Sequence, residues 1–597
     1  MSDSKRARLM DTDILEQLQH PISSDEEEFA EGDSDDGEED NLEVEVHSED
    51  EEEVQSANDN SNEAVPLSDS DCDETPLGNI YFSRDQHKNV MKWRKLPPDP
   101  PNVRTRASNI VLRMPGPKGE AKIVKTELEC FNLFIDNTVI RMIVTGTNIY
   151  ISQIRRSFAR DRDAKDTDDT EIRALIGILL LSGYLGSGRT NTKNIWDNSR
   201  GTGVESCYLA MSENRFHFLL RCLRFDDIRD RPQRKELDRL AAVREMFELV
   251  VRNFQRFYTP SEYCTVDEQL VKFRGRCPFR IYMPDKPAKY GVKVFALCCA
   301  KTMYALNLEV YPGQQPNGPF KLSSSSADVT IRLCEPIAGT NRNVTTDNWF
   351  TSIPLAEALL EEKKLTLVGT IKANRIGVPK DFKADKEREV RSSIFAHHKN
   401  KTLVSYCPKR NKAVILLSTM HNDQRIDNES GDLKKPEIVT FYNKTKVGVD
   451  VLDQMCAKYD VSRNSKRWPM VVFFDLINIA AINGSRIHSF NNIEHSPLPR
   501  RKFLEHLSWE LIHPQIRKRI ESPFLPVDLK TRAKKLLGIE ENPCKPLPQD
   551  NKVGRCFLCG RARDKSTRKC CQLCGQKICP EHSCLVCRCC INGTTAD

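Results

Sequence analysis

Near residue 260 the spacing of apolar residues changes, and that change limits what the chain can build. Before it, Phe216, Leu219, Leu220 and Leu223 follow a capping candidate at Ser212, and Leu240, Val243, Met246, Phe247, Val250, Val251 and Phe254 keep the same step of three or four. Such spacing draws one apolar stripe along a helix, so residues 127–258 are predicted helical with these aromatics in the core. Beyond it, β-branched and aromatic stretches at 263–266, 292–298, 303–310 and 342–346 read as strands. Helical candidates at 326–333 and 352–363 flank the fourth strand, and 365–371 is a fifth. Three strands, a helix, a strand, a helix and a strand is an α/β order consistent with an RNase H-like core.

A chain of 597 residues exceeds one hydrophobic core, so several folded units are expected. Residues 1–115 are acidic, rich in Ser, Asn and Pro and poor in aromatics, and are predicted disordered. Ser23, Ser24, Ser48, Ser68 and Ser70 each precede an acidic residue by three positions, a pattern that suits acid-directed phosphorylation. Residues 116–262 form the first helical part, 263–373 the first part of the core, and 374–436 an inserted subdomain with strand-like pieces at 402–405 and 414–417. The core resumes over 437–457, where a helix starting near Lys446 carries Asp450 and Asp453 on one face. A second helical part covers 458–540, a linker 541–552, and a cysteine-rich segment 553–591.

The net charge of +5 conceals an asymmetry. Residues 1–75 hold 28 acidic side chains against Lys5, Arg6 and Arg8, which leaves 87 basic and 57 acidic residues beyond them. A basic body behind an acidic arm predicts a polyanionic partner, most simply nucleic acid. The start of the chain is polar, the run at 174–181 is too short to cross a bilayer, and 470–482 is interrupted by Asp475 and Asn478. An intracellular protein with no membrane partner is therefore expected. In a reducing compartment its 22 cysteines are thiols or metal ligands.

Asp267 and Asp347 close strand-like runs and Asp450 lies on a helix, an order that can gather carboxylates around Mg²⁺ or Mn²⁺. Two such ions about 4 Å apart serve phosphodiester chemistry by activating a hydroxyl and stabilising the departing 3′ oxygen. A lone Asp is as readily a cap or turn residue. Beside Asp267, residues 273–293 interleave Arg274, Arg276, Arg280, Lys286, Lys289 and Lys293 with Phe273, Phe279, Tyr282 and Tyr290. Cations for phosphates and aromatic faces for bases make this a candidate nucleic-acid track. No phosphate loop of the Gly-x-x-x-x-Gly-Lys-Ser/Thr type occurs, which argues against ATP hydrolysis.

Four long strings support a family reading: TVDEQLVKFRGRCPFRIY from Thr265, TTDNWFTSIPLA from Thr345, KVGVDVLDQM from Lys446 and RWPM from Arg467. They resemble the piggyBac transposases, close to the founding insect type, with similar organisation from about Asn109 to Cys590. The resemblance implies that Asp267, Asp347 and Asp450 form a catalytic metal-binding triad, with Asp453 an accessory carboxylate. It implies cut-and-paste DNA transposition through hairpin ends into TTAA sites, in the nucleus, by a homodimer whose all-α dimerisation and DNA-binding domain is split around the core. It also implies DNA contacts at Arg274, Arg276, Tyr282, Lys289, Lys372 and Arg375, with Trp468 near the active site. Ile376 departs from the pattern, standing where the insect founder has a basic residue.

The tail offers Cys556-x2-Cys559, Cys571-x2-Cys574, Cys579-x2-His582 and Cys587-x2-Cys590, eight soft ligands that suit two tetrahedral Zn²⁺ sites. Spacing leaves sequential and interleaved pairing open. The family's terminal domain resembles an interleaved cross-brace, with Cys556, Cys559, Cys579 and His582 on one ion and Cys571, Cys574, Cys587 and Cys590 on the other. Arg555, Arg561, Arg563, Lys565, Arg568 and Lys569 crowd the first two pairs, which favours DNA phosphate; the resemblance implies terminal inverted repeats of double-stranded DNA. The leading expectation is an active transposase. A domesticated, non-cutting descendant is the alternative, and a zinc-dependent ubiquitin ligase a third that leaves the aspartates without a task.

Overall fold

The computed structural model describes residues 45–46, 77–97, 106–186, 190–199, 201, 203–284, 286–493, 498–539, 553–559, 565–571 and 576–583. Asp136 accepts a hydrogen bond from Val139 N and starts helix Asn137–Ile154 (α1); Asp168 does the same with Thr170 N and Glu171 N for Asp169–Tyr184 (α2). Each carboxylate meets N–H groups that have no acceptor inside the helix. Ser212 accepts from Arg215 N and opens Glu213–Cys222 (α3). The next apolar stripe becomes Arg244–Phe257 (α4), which buries Met246, Phe247, Val250, Val251 and Phe254.

The strands are Ile80–Arg84 (β1), Val90–Arg94 (β2), Tyr263–Lys272 (β3), Arg280–Tyr282 (β4), Tyr290–Cys299 (β5), Ala305–Val310 (β6), Asn343–Thr346 (β7), Thr366–Thr370 (β8), Ser393–His398 (β9), Lys401–Tyr406 (β10) and Val414–Ser418 (β11). They make one sheet in the order β4, β5, β3, β7, β8, β11, β10, β9, β2, β1, with β6 also beside β5 and Glu45–Val46 beside β4. β7 runs parallel to both β3 and β8, whereas β5 is antiparallel to β3 and β6. Helices Ser326–Cys334 (α5) and Ile353–Glu361 (α6) interrupt the strands where the sequence places them, and Glu437–Thr445 (α7) and Gly448–Lys458 (α8) follow β11.

Two parts differ from what composition suggests. The segment 374–436 does not stand apart from the core: β11 pairs with β8, with Val368 opposite Ser418, and β10 and β9 extend the sheet further. An edge strand carries unpaired backbone groups, and β11 satisfies those of β8. The predicted disorder to residue 115 is also corrected, because β1 and β2 form a hairpin seated on β9, with Arg94 opposite His397. Trp93 is fully buried there and its Nε1 donates to Ser83 Oγ over 2.9 Å. A few aromatics in an acidic, Pro-rich arm are averaged away by composition, although one buried indole can dock a hairpin. The remainder of 1–105 lies mostly, and the expected linker 541–552 wholly, outside the described residues.

Helices from both ends of the chain meet in one layer. Arg500–Ile520 (α10, following α9 at Trp468–Asn491) lies along α2, so closely that a Cβ on Gly177 would sit 2.8 Å from Leu511 Cβ. α9 packs on Glu127–Asn132 and on α4. It is long and apolar enough to cross a membrane, but nearly all of it is buried in protein, the pattern of a central core helix. Replacing Trp93 with Ala should detach the hairpin, lowering unfolding free energy by about 3 kcal/mol in denaturant titrations and opening 80–97 to limited proteolysis.

Candidate active site and metal centre

Parallel pairing sets Val266 of β3 opposite Thr346 of β7, so the next residues, Asp267 and Asp347, come side by side. Asp267 Oδ1 accepts from Glu268 N over 2.8 Å, and Asp347 Oδ1 accepts from Trp349 N and Phe350 N over 2.9 and 3.3 Å. Those bonds orient both carboxylates and leave the second oxygen of each without a hydrogen bond among the described residues. Asp450 arrives from a different element. Thr265 Oγ1 donates to Thr445 O over 2.6 Å and Thr345 Oγ1 to Thr445 Oγ1 over 2.8 Å, fastening the end of α7 to β3 and β7. Gly448 then starts α8 so near the sheet that a Cβ would lie 2.6 Å from Thr265 Oγ1. Asp450, two residues on, is exposed in the first turn of α8.

Burial and the neighbouring Glu268 and Asp347 push the Asp267 carboxyl well above the usual carboxylate range. Burial and Glu268 raise Asp347 to about 6, against the pull of the Trp349 and Phe350 N–H groups and Lys293. Like charges crowded out of water favour their neutral forms, and a cation among them reverses that preference. Lys286 already places one ammonium here: its Nζ is 3.0 Å from Glu268 O and 3.4 Å from Asp450 Oδ1. Oxygen donors and the mutual repulsion of the carboxylates fit a hard divalent ion, for which the Lys286 ammonium is a competing cation. The aspartates are not drawn into one tight knot, however. Among the described residues, only the cysteine and histidine group below brings three or more metal-ligating atoms within 4.8 Å of one another.

Asp453 lies one turn deeper, half-buried, its carboxyl raised by burial and by Asp450 while Lys286 and the Gln269 amide oppose the rise. The candidate nucleic-acid track divides. Arg274, Arg276 and Lys289 are exposed and Tyr282 is half-buried. Arg280 instead turns back to the carbonyls of Arg274 and Gly275, Lys286 enters the carboxylate cluster, and Lys293 is buried with its Nζ 4.7 Å from the Trp349 ring centre. Phe273 and Phe279 are core residues, and Tyr282 packs on Tyr290 with ring centres 4.8 Å apart. Sequence spacing does not reveal that the loop after β4 turns Lys286 toward the carboxylates, nor that Glu268 lies against them, and both are therefore missed as parts of the site.

Trp468 packs edge-on against Phe279 at 5.0 Å, and Arg276 bridges Arg467 through the backbone. A Cβ on Gly275 would meet Lys466 O at 2.8 Å, so this loop needs glycine to pass. Arg467 itself donates to the Leu220 and Arg221 carbonyls at the end of α3. Lys372 and Arg375 are half-buried just beyond β8, and Arg375 Nη2 donates to Trp349 O over 3.0 Å, which ties it to the turn after Asp347. Ile376 beside it is 61% exposed.

In the tail, Cys556, Cys559, Cys579 and His582 converge, with His582 Nδ1 3.5, 3.6 and 3.4 Å from the three sulfurs and Cys559 Sγ 3.7 Å from Cys579 Sγ. A tetrahedron with metal–sulfur bonds of about 2.3 Å has edges of about 3.8 Å, so the donor set and its spacing suit zinc. Burial alone would raise the Cys556 thiol, but hydrogen bonds from Cys579 N and His582 hold it down at about 6. The group is the interleaved one. Cys571 stands outside it, and Cys574, Cys587 and Cys590 lie outside the described residues.

A family model described as transposase IS4 matches residues 126–485, from the first helices through the sheet and into α9. The fold matches a cryo-EM structure of a piggyBac transposase synaptic complex with hairpin DNA, with TM-score 0.69 and 36% identity over 80% of this chain and 99% of that one. The chain belongs to the piggyBac transposase family. Human relatives include PiggyBac transposable element-derived protein 3, 23% identical over 372 residues, and protein 5, 22% identical over 415 residues. The matched regions cover 60% and 66% of this chain, and 60% and 77% of those proteins. This piggyBac family member should purify with zinc, and Cys556→Ser should remove about one equivalent by atomic absorption, while unchanged content would exclude the four-ligand group as a site.

Proposed function

We propose that the chain is a metal-dependent DNA transposase that binds terminal inverted repeats, excises its element through hairpin ends and inserts it at TTAA, with no ATP requirement. The observation that carries this reading is the side-by-side placement of Asp267 and Asp347 on parallel strands of an RNase H-like strand order, with Asp450 fastened beside them by the threonine contacts. Asp267, Asp347 and Asp450 would hold Mg²⁺ or Mn²⁺, which when bound supplies an activated hydroxyl and charge stabilisation at the departing 3′ oxygen. The chain's own groups do the rest. The backbone N–H groups at Glu268, Trp349 and Phe350 fix the carboxylate orientation; exposed Arg274, Arg276 and Lys289 meet backbone phosphates, and Trp468 borders the same surface.

Lys372 and Arg375 extend that surface past the Asp347 turn, and the zinc group at the tail would add end recognition. The reading carries with it a homodimer and a nuclear location. Retention of all three aspartates counts against a non-cutting descendant.

In a plasmid assay, Asp267→Ala should reduce excision of a TTAA-flanked donor to background while gel-shift binding to the element's ends persists; normal excision by this variant would refute the catalytic assignment. A second outcome follows from protonation. A carboxylic acid must lose its proton to bind a metal, so Mn²⁺ should raise the melting temperature at pH 7.5 and progressively less as pH falls through about 6, where Asp347 becomes neutral. Asp347→Ala should lessen that rise and weaken its change near pH 6, with the raised Asp267 carboxyl keeping a residual pH dependence, as read by differential scanning fluorimetry.

A further inference from the structure

Beneath the carboxylates lies a polar junction for which the reaction has no evident use. Helix α9 is a core helix, yet near its middle Asp475 is only 6% exposed. Gln269 Nε2 donates to Asp475 Oδ1 over 2.9 Å. Gln269 follows Asp267 by two residues on β3, so strand alternation puts both on one face. The same amide faces Asp453, one turn beyond Asp450 on α8, and opposes the rise of its carboxyl. One glutamine from the strand that carries Asp267 therefore lies between acids from two helices, one of which carries Asp450.

A carboxylate only accepts hydrogen bonds, whereas a carboxylic acid also donates one. Gln269 Oε1 is a buried acceptor with no hydrogen-bond partner among the described residues. The groups that face Asp475 are Asp453 and Cys456 of α8, Gln269 of β3, and Asp460 just past α8. None of them is cationic, and a lone buried carboxylate among them would be strongly disfavoured.

We propose that Asp475 works as a neutral acid and a positioning residue, which through Gln269 and Asp453 holds the Asp267 strand and the Asp450 helix at a fixed spacing. Burial and the neighbouring Asp453 raise its carboxyl to about 8, in keeping with that state at neutral pH. An acid raised in the folded state relative to the unfolded chain contributes stability that is full below the unfolded value near 4 and is lost as pH rises through about 8. Above that point two anions share the junction, and the spacing it maintains relaxes.

The inference rests on the catalytic reading of Asp267 and Asp450, so its test has one arm that needs no catalysis. Asp475→Asn keeps an acceptor for Gln269 but cannot ionise. In metal-free buffer the melting temperature of Asp475→Asn relative to the native chain should climb between pH 5 and pH 8 and level off above; a difference that does not change with pH overturns the neutral acid. In DNA cleavage, Asp475→Asn should be within about twofold of native at pH 7, and the ratio of variant to native rate should rise above pH 8. Asp475→Ala should lose about tenfold or more at pH 7, and the Asn variant should restore it; Ala and Asn variants of equal activity overturn the positioning role. If the Ala variant does not melt cooperatively, the pH dependence of the Asn-to-native rate ratio decides, and a flat ratio overturns the proposal. Survival of cleavage in Asp267→Ala would instead sink the catalytic reading and leave the melting arm standing.

Discussion

The site depends first on two threonine hydroxyls. Thr265 and Thr345 come from neighbouring parallel strands and both engage Thr445, at its carbonyl and its own hydroxyl. Each bond contributes only about 1 kcal/mol net, but in a buried setting the alternative is an unpaired polar group that costs more. The bonds are also directional, so they fix where α7 ends and therefore where α8 begins. Gly448 completes the constraint by letting α8 start against the strand. More than 70 residues of chain separate Thr370 from Gly448, and this small polar contact determines that Asp450 comes back beside Asp267.

Much of this architecture is legible in the sequence because local signals and global fold agree. The shift from helical to alternating spacing locates the start of β3 and both ends of β5 to β8 within a few residues, although β3 runs on to Lys272, well past the expected 263–266, and Ser212 announces α3. Legibility fails where placement depends on partners distant in sequence. Within 374–436, β10 and β11 are readable as strands and β9 is not, and nothing local says that β11 completes the edge of β8. Trp93 is readable as apolar, but not as the anchor of a hairpin on β9. At the site, Asp267, Asp347 and Asp450 stand out through the strings around them. Lys286 and Glu268 do not, since their roles come from the direction a side chain takes off a strand or loop.

The charge pattern explains why a folded protein tolerates this arrangement. Asp267 and Asp347 sit half-buried beside Glu268, a grouping that opposes folding while all are ionised. Lys286 offsets part of that repulsion without hydrogen-bonding either buried carboxylate directly, since its contacts are Glu268 O and Asp450 Oδ1. Electrostatic strain is thereby retained at the place where a divalent ion would relieve it, which couples metal affinity to the stability of the sheet.

One helix joins that strained site to the rest of the molecule. Immediately before α9, Arg467 caps the end of α3 in the helical layer; at its first residue Trp468 packs on Phe279, beside the exposed arginines; two turns on, Asp475 meets the strand of Asp267. Close-packed interiors transmit displacement because they have few voids to absorb it. A shift of the helical layer large enough to move α9 must then move Phe279 and Gln269 together, so that layer and the carboxylates of the sheet are mechanically one unit. A flexible linker between two independent domains would leave their spacing to chance, whereas a buried helix shared by both fixes it.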